Sequence, residues 1–249
     1  MITSLAVIGA SSAIAQEVAR IYARSGAVLV ITARSAEKCE ILKADLLARG
    51  ARAVDTVVYD AEENVSGSSV MEEIARLQPQ CCTILIAHGV LSDNDACAHD
   101  TERTVHDFTL NATSVIALSA GAAAWYEQHS YSEKPCIAVI SSVAGDRGRG
   151  SNYVYGAAKG AVSIFLQGLR NRLYAKGIHV LTIKPGFVDT PMTAHIAKNP
   201  LFASPQSVAR SIVRAMERRT DIVYTPAFWR YIMLVVRLIP ERAFKRLGL

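Results

Sequence analysis

Ile2-Thr3-Ser4-Leu5-Ala6-Val7-Ile8-Gly9-Ala10-Ser11-Ser12-Ala13-Ile14-Ala15 runs from an apolar, β-branched stretch into a glycine turn and then into small residues at helical spacing. A buried strand, a tight turn and a helix in that order point first-turn N–H groups at an anion, commonly a pyrophosphate. Gly9 permits the turn, Ser11 and Ser12 add hydroxyls, and Ala13 and Ala15 stay small where the helix approaches sheet and ligand. As a glycine fingerprint the turn is degenerate, one glycine of three, and an ordinary strand–helix turn reads the same way.

The rest of the chain decides. Apolar runs at 27–33, 53–59, 83–88, 136–142, 178–184 and 221–225 alternate with helical patterns at 13–25, 36–49, 65–77, 102–128 (one helix or two joined), 153–176 and 205–219. The strand runs are near-continuous rather than alternating, as expected for parallel strands covered on both faces. Ser35 can cap the second helix and Gly50 can end it. This βαβα order predicts a doubly wound α/β parallel sheet, with ligands at the carboxyl ends of the strands near the switch in strand order.

The 249 residues suit one large α/β domain, and 51% hydrophobic against 20% charged residues excludes disorder for most of the chain. The five cysteines (39, 81, 82, 97 and 136) show no metal-ligand spacing and read as reduced, partly buried thiols. No metal is expected. The N-terminus carries no basic region followed by an apolar one, and no uninterrupted apolar run reaches the ~18–20 residues of a spanning helix; a cytoplasmic protein is expected. Residues 205–249 hold nine Arg/Lys against three Asp/Glu, so the basic excess sits in the tail of a neutral body. That pattern suits an anionic surface such as lipid rather than nucleic acid.

Ser142 stands 13 residues before Tyr155, and Tyr155-Gly156-Ala157-Ala158-Lys159 places a lysine on the same helix face as the tyrosine. Hydride chemistry at a carbonyl needs a proton donor that works near neutral pH. A tyrosine becomes a better acid where a lysine cation favours its phenolate. Ser142, at the end of the fifth strand, can donate to the same carbonyl oxygen. Ser141 points the opposite way and reads as support. His88, alone in a tight turn, reads as structural. Arg34 follows the second strand, where an acid would take a ribose 2′-hydroxyl; a cation there favours a 2′-phosphate.

These motifs, with Gly9 to Ala15, Ala87-His88-Gly89, Asn111 and Pro185-Gly186-Phe187-Val188-Asp189-Thr190-Pro191, resemble the short-chain dehydrogenase/reductase family over residues 1–225. The resemblance implies a Rossmann-type sheet of seven strands, usually in homo-dimers or tetramers. It implies Tyr155 as general acid/base, Lys159 tuning it and holding the nicotinamide ribose, Ser142 orienting the carbonyl, and Asn111 supporting a water-mediated relay. Cofactor contacts would come from Gly9, Ser11, Ser12, Ile14, Arg34, Asp60, Ala61, Ala87, Gly89, Tyr155, Lys159, Pro185, Gly186, Val188 and Thr190. Ala13 and Ala15 replace family glycines, and Ala87-His88 replaces Asn-Ala.

A narrower similarity covers the second half, in the Arg147-Gly148-Arg149 loop and the segment from Tyr224 to Leu247. Both resemble reductases of decaprenylphosphoryl-2-keto-erythro-pentose, which work after a flavin-dependent oxidase in cell-envelope polysaccharide synthesis. An NADPH-dependent reductase of a polyprenyl-phosphate-linked 2-keto sugar is thus expected. The alternatives are a reductase of a soluble or 3-oxoacyl-type carbonyl, and a non-catalytic nucleotide-binding regulator. Arg147 and Arg149 could meet a phosphodiester or form a solvated basic loop. Residues 226–249 form an apolar, basic extension with a helix expected at 227–239. It is too short to span a bilayer and must be covered by a subunit interface or lie on the inner membrane face.

Overall fold

The computed structural model describes residues 3–247. The first strand is followed from Ser4; its expected start at Ile2 lies outside the described residues. Seven parallel strands form one sheet: β1 (Ser4–Ile8), β2 (Val28–Ala33), β3 (Ala53–Val58), β4 (Thr83–Ile86), β5 (Cys136–Ile140), β6 (His179–Pro185) and β7 (Ile222–Thr225). Their order is β3-β2-β1-β4-β5-β6-β7, so the direction of winding switches between β1 and β4. The helices are α1 (Ala13–Arg24), α2 (Ala36–Ala48), α3 (Ser68–Leu77), α4 (Asn94–His99), α5 (Thr101–Phe108), α6 (Ser114–Gln128), α7 (Tyr153–Leu173), α8 (Pro205–Glu217), α9 (Trp229–Leu238) and α10 (Glu241–Phe244).

Strand alternation divides the core into two layers. Leu5 and Val7 face one layer with Val18 and Tyr22 of α1 and Val208 and Ile212 of α8. Ala6 and Ile8 face the other with Ile74 of α3, Leu118 of α6 and Leu166 of α7. Ser35 accepts a hydrogen bond from Lys38 N at 3.3 Å and caps α2 as its position suggests. Thr101–Gln128 is long and apolar enough to cross a membrane, but half of its apolar window is buried against the sheet and α7. All five cysteines are free and buried.

The differences from the sequence reading fall where the site lies. β4 ends at Ile86 and β5 at Ile140, freeing the residues after them for turns. The long helix is interrupted at Thr109–Thr113 by one π turn, a distortion that often marks a functional position. α4 carries too short a pattern to be read. The expected tail helix is realised as α9.

The turn Val143–Asp146 lies directly on α7. A Cβ on Gly145 would stand 2.5 Å from Lys159 C and 2.6 Å from Gly160 N; one on Gly156 would stand 3.0 Å from Ala144 O. Backbone meets backbone, with no flexible side chain to yield. Gly145→Ala is therefore expected to destabilise the fold by about 1–3 kcal/mol, as overpacking does. Gly148→Ala, which meets nothing within 4 Å, should unfold with the wild type. Thermal denaturation of the two variants checks both outcomes; equal melting would show the contact to be slack.

Candidate active site

A cleft of about 1120 Å³ opens along the carboxyl ends of the central strands. At one end the β1–α1 turn packs under the turn after β4. Gly9 has φ +82°, and a Cβ there would sit 2.7 Å from His88 N. Only glycine allows both the backbone and the approach. Gly9 N donates to Thr32 Oγ1 at 3.0 Å, fixing the turn to β2. Ser12 is the N-cap of α1, yet its side chain makes no capping bond. Ser11, Ser12 and Ile14 line the cleft, so hydroxyls and the positive end of a twelve-residue helix face it. Ala15 is fully buried, its methyl group packed into the core.

Arg34, Asp60 and Ala61 line the same end. Arg34 reaches Glu62 at 3.8 Å, and both side chains are exposed, so the guanidinium is open to a further anion. Asp60 accepts from Glu62 N at 2.9 Å, which shapes the loop. Ala87 and Gly89 form the floor; Pro185, Gly186, Val188 and Thr190 form the facing wall. Every residue expected to hold the cofactor is thus on one cleft, and its shape, helix terminus and glycine cradle fit a dinucleotide.

Tyr155, Lys159 and Ser142 line the middle of the cleft. Burial pushes the Tyr155 phenol up to about 12, partly offset by the neighbouring Ser142 hydroxyl. Burial pushes the Lys159 ammonium down to about 8. Its Nζ donates to Ile140 O at 3.3 Å and lies 5.7 Å from the Tyr155 ring centre. In this cleft desolvation dominates the tyrosine, which stays protonated at neutral pH. Ser142 Oγ accepts from Ala144 N at 3.1 Å, leaving its own proton free to donate. Ser141 is buried and its hydroxyl is taken up by α7, bonded to Lys159 O at 2.9 Å and Ser163 Oγ at 2.8 Å.

Asn111 sits in the π turn, fully buried. Its Oδ1 accepts from Val90 N and its Nδ2 donates to Asp107 O, each at 3.0 Å. The side chain is thereby committed to holding the loop after β4. A Cβ on Gly89 would stand 2.8 Å from Asn111 Oδ1 and 3.3 Å from Lys159 Nζ, so this loop closes directly over the lysine. His88 is neutral, held down to about 3 by burial and by Lys159. Its Nε2 lies 2.9 Å from Ser114 Oγ, which spends its own proton on Leu110 O at 2.8 Å. Nε2 therefore carries the hydrogen, and Nδ1 is a bare acceptor.

The two arginines expected at the substrate separate. Arg147 does not line the cleft. Its guanidinium donates to Val236 O at 2.7 Å and Ile239 O at 2.5 Å, pairs with Glu241 at 3.0 Å, and stacks 3.7 Å from the centre of the Phe244 ring. It clamps the end of α9, because a cation bonds well to the last carbonyls of a helix. Arg149 does line the cleft, and burial lowers its affinity for its proton.

Sequence reading missed the rest of this wall. Ser92, Asn94, Asn152 and Trp229 also line the cleft. They come from the loop after β4 and the start of α4, the loop before α7 and the tail, which no single periodic pattern joins. Asn94 Nδ2 donates to Gly150 O at 3.1 Å and ties the first two together.

Removing the buried charge separates stability from chemistry. The folded Lys159 titrates at about 8 against an ordinary 10.5, so its burial penalty is present in full below pH 8 and fades as pH rises to the unfolded value. Lys159→Met is expected to melt at or above the wild type at pH 7, with the advantage shrinking between pH 8 and 10.5. Thermal melts across that window check the sign; a variant less stable at pH 7 would contradict it.

The family model described as short chain dehydrogenase matches residues 4–201. An uncharacterised oxidoreductase of Mycobacterium tuberculosis is 31% identical over 241 residues, covering 97% of this chain and 95% of that one. An uncharacterised oxidoreductase of Streptomyces coelicolor is 32% identical over 250 residues, covering 98% and 95%. A 3-oxoacyl-[acyl-carrier-protein] reductase of Pseudomonas aeruginosa is 28% identical over 190 residues, covering 76% and 75%. Among solved structures, a short-chain dehydrogenase from Sphingobium yanoikuyae in complex with NADPH superposes with a TM-score of 0.78 at 22% identity, covering 96% of each chain. A 3-oxoacyl-[acyl-carrier protein] reductase from Brucella melitensis in complex with NAD gives 0.80 at 18% identity, covering 93% and 98%. The family match spans six of the seven strands and every lining residue of the cleft except Trp229, and the chain belongs to the short-chain dehydrogenase family.

Proposed function

We propose that the chain is an NADPH-dependent carbonyl reductase whose substrate is a 2-keto sugar carried on a polyprenyl phosphate. One observation carries the choice of substrate. Ser92 Oγ, Asn94 Oδ1, Arg149 Nε and Asn152 Oδ1 are shielded from solvent without a hydrogen-bond partner, and all four residues line one cleft. Buried polar groups are normally paired, so this wall suits a ligand rich in hydroxyls with an anionic group for Arg149. Across from it, Phe187, Met192 and Ile196 offer apolar surface for the start of a lipid. A 3-oxoacyl chain, the substrate in the names of two relatives, would leave the polar wall unsatisfied.

Arg34 supports the phosphorylated cofactor, since it presents a cation where a carboxylate would select a free 2′-hydroxyl. NADPH, when bound, supplies the hydride. The chain supplies the proton and the positioning. Ser142, its acceptor side occupied by Ala144 N, donates to the carbonyl oxygen. Tyr155, kept protonated by burial, gives its proton to that oxygen. The Lys159 ammonium then favours the phenolate left behind, and Asn111 holds the loop that covers it. A 2-keto sugar must be supplied by oxidation of the sugar's 2-hydroxyl, the step that the resemblance assigns to a flavin-dependent partner.

The tail supports a membrane-surface location. α9 buries Trp229 and Met233 against Val143, Phe187 and Tyr224. Its outer side exposes Tyr231, Leu234, Val235 and Leu238, the last 72% accessible, beside exposed Arg230 and Arg237. Apolar side chains flanked by cations suit an anionic bilayer from the cytoplasmic side.

Two experiments test these readings. Wild-type enzyme is expected to oxidise NADPH in preference to NADH with farnesyl-phosphoryl 2-keto-pentose as acceptor. Tyr155→Phe should lose roughly 10²–10⁴ in rate while binding NADPH normally; near wild-type turnover would remove Tyr155 as the acid. Co-sedimentation with phosphatidylglycerol vesicles should be salt-sensitive and lost in the Leu234→Glu, Leu238→Glu double variant. Failure of folded wild type to bind would leave another copy of the chain as the cover for this face.

A further inference from the structure

The cleft holds one more unpaired donor, and it comes from the tail. Trp229, the first residue of α9, is 5% exposed. Its Nε1 is shielded from solvent and has no hydrogen-bond partner, yet the residue lines the same cleft as Ser142 and Tyr155. The indole lies flat against Gly186; a Cβ there would overlap its Nε1 edge. Phe187 meets it edge to face with ring centres 5.6 Å apart. Packing alone asks for an apolar ring here and gives no reason for an N–H.

The same turn that carries Ser142 holds the tryptophan in place. Val143 packs on Trp229 and Met233. Asp146 pairs with buried Lys184 and accepts from Tyr224 Oη at 2.7 Å, locking β6 and β7 to the turn. Arg147 clamps the far end of α9. A helix fixed at both ends delivers its first side chain with little freedom, and a preorganised donor costs less entropy on binding.

We propose that Trp229 is a substrate-binding residue, its indole N–H donating to an oxygen on the sugar end of the substrate. The C-terminal segment then completes the substrate site. The choice of ligand rests on the reading of a lipid-linked sugar given above. Trp229 comes from the tail and Arg149 from the loop before α7, so two separate segments would hold the sugar. The segment that meets the membrane on its outer face meets the substrate on its inner one.

The test is binding rather than turnover. Farnesyl-phosphoryl pentose, the alcohol-state probe, is titrated calorimetrically into enzyme saturated with NADP⁺. Trp229→Phe keeps the ring and removes the donor. It should weaken binding about tenfold, the worth of one hydrogen bond, with unchanged NADPH affinity and a retained fold whose melting temperature falls only by the packing volume lost. In a Trp125→Phe background the probe should also shift the emission of Trp229, which leaves the site itself unaltered. Equal affinity of wild type and Trp229→Phe, with no emission shift, would overturn this proposal and leave the substrate reading intact. Absence of binding to wild type that holds NADPH normally would overturn both.

Discussion

The backbone contact between the Val143–Asp146 turn and α7, made at Gly145, Gly156 and Gly160, organises the chemistry of this molecule. Ser142 enters the turn at the height of Tyr155 and Lys159 because no side chain separates the two segments. Asp146 leaves it to meet Lys184 and Tyr224. Arg147 continues outward to the end of α9, and Arg149 returns to the cleft. One turn of four residues thus sets the proton donor, the sheet edge, the tail and the substrate wall together. A shift of a few tenths of an ångström there would be felt at all four.

Electrostatically the site rests on two burials that act in opposite senses. Tyr155 is kept protonated and Lys159 is made easier to deprotonate, both by loss of water. Burying the lysine costs stability, and nothing in the sheet requires a charge at that position. In the proposed reaction that charge has a use, since an ammonium beside a forming phenolate is worth most where solvent is excluded. Asn111 and Gly89 close the remaining approach over it.

How far the sequence could be read follows from what each residue answers to. Strand runs, helix caps and the Tyr155–Lys159 spacing are local and periodic; they predict the sheet and bring Tyr155 and Lys159 to one cleft. The π turn at Asn111 has no periodic signal, because it depends on the side chain bonding to Val90 across the fold. Arg147 and Arg149 look alike in sequence; one is taken up by carbonyls some ninety residues away and the other is left in the cleft. Trp229 reads as one more apolar residue of an apolar helix. Only its place in the fold reveals an unpaired donor, and Gly186, read from sequence as a cofactor position, is also the surface on which the indole lies.

Hydride delivery to a ketone, with the proton supplied by this cleft, is followed most directly with NADPH carrying deuterium at both C4 positions of the nicotinamide, farnesyl-phosphoryl 2-keto-pentose as acceptor and mass spectrometry of the product. One deuterium is expected on the carbon that bore the keto group. Product lacking that deuterium, or no product from enzyme shown to bind both ligands, would contradict it.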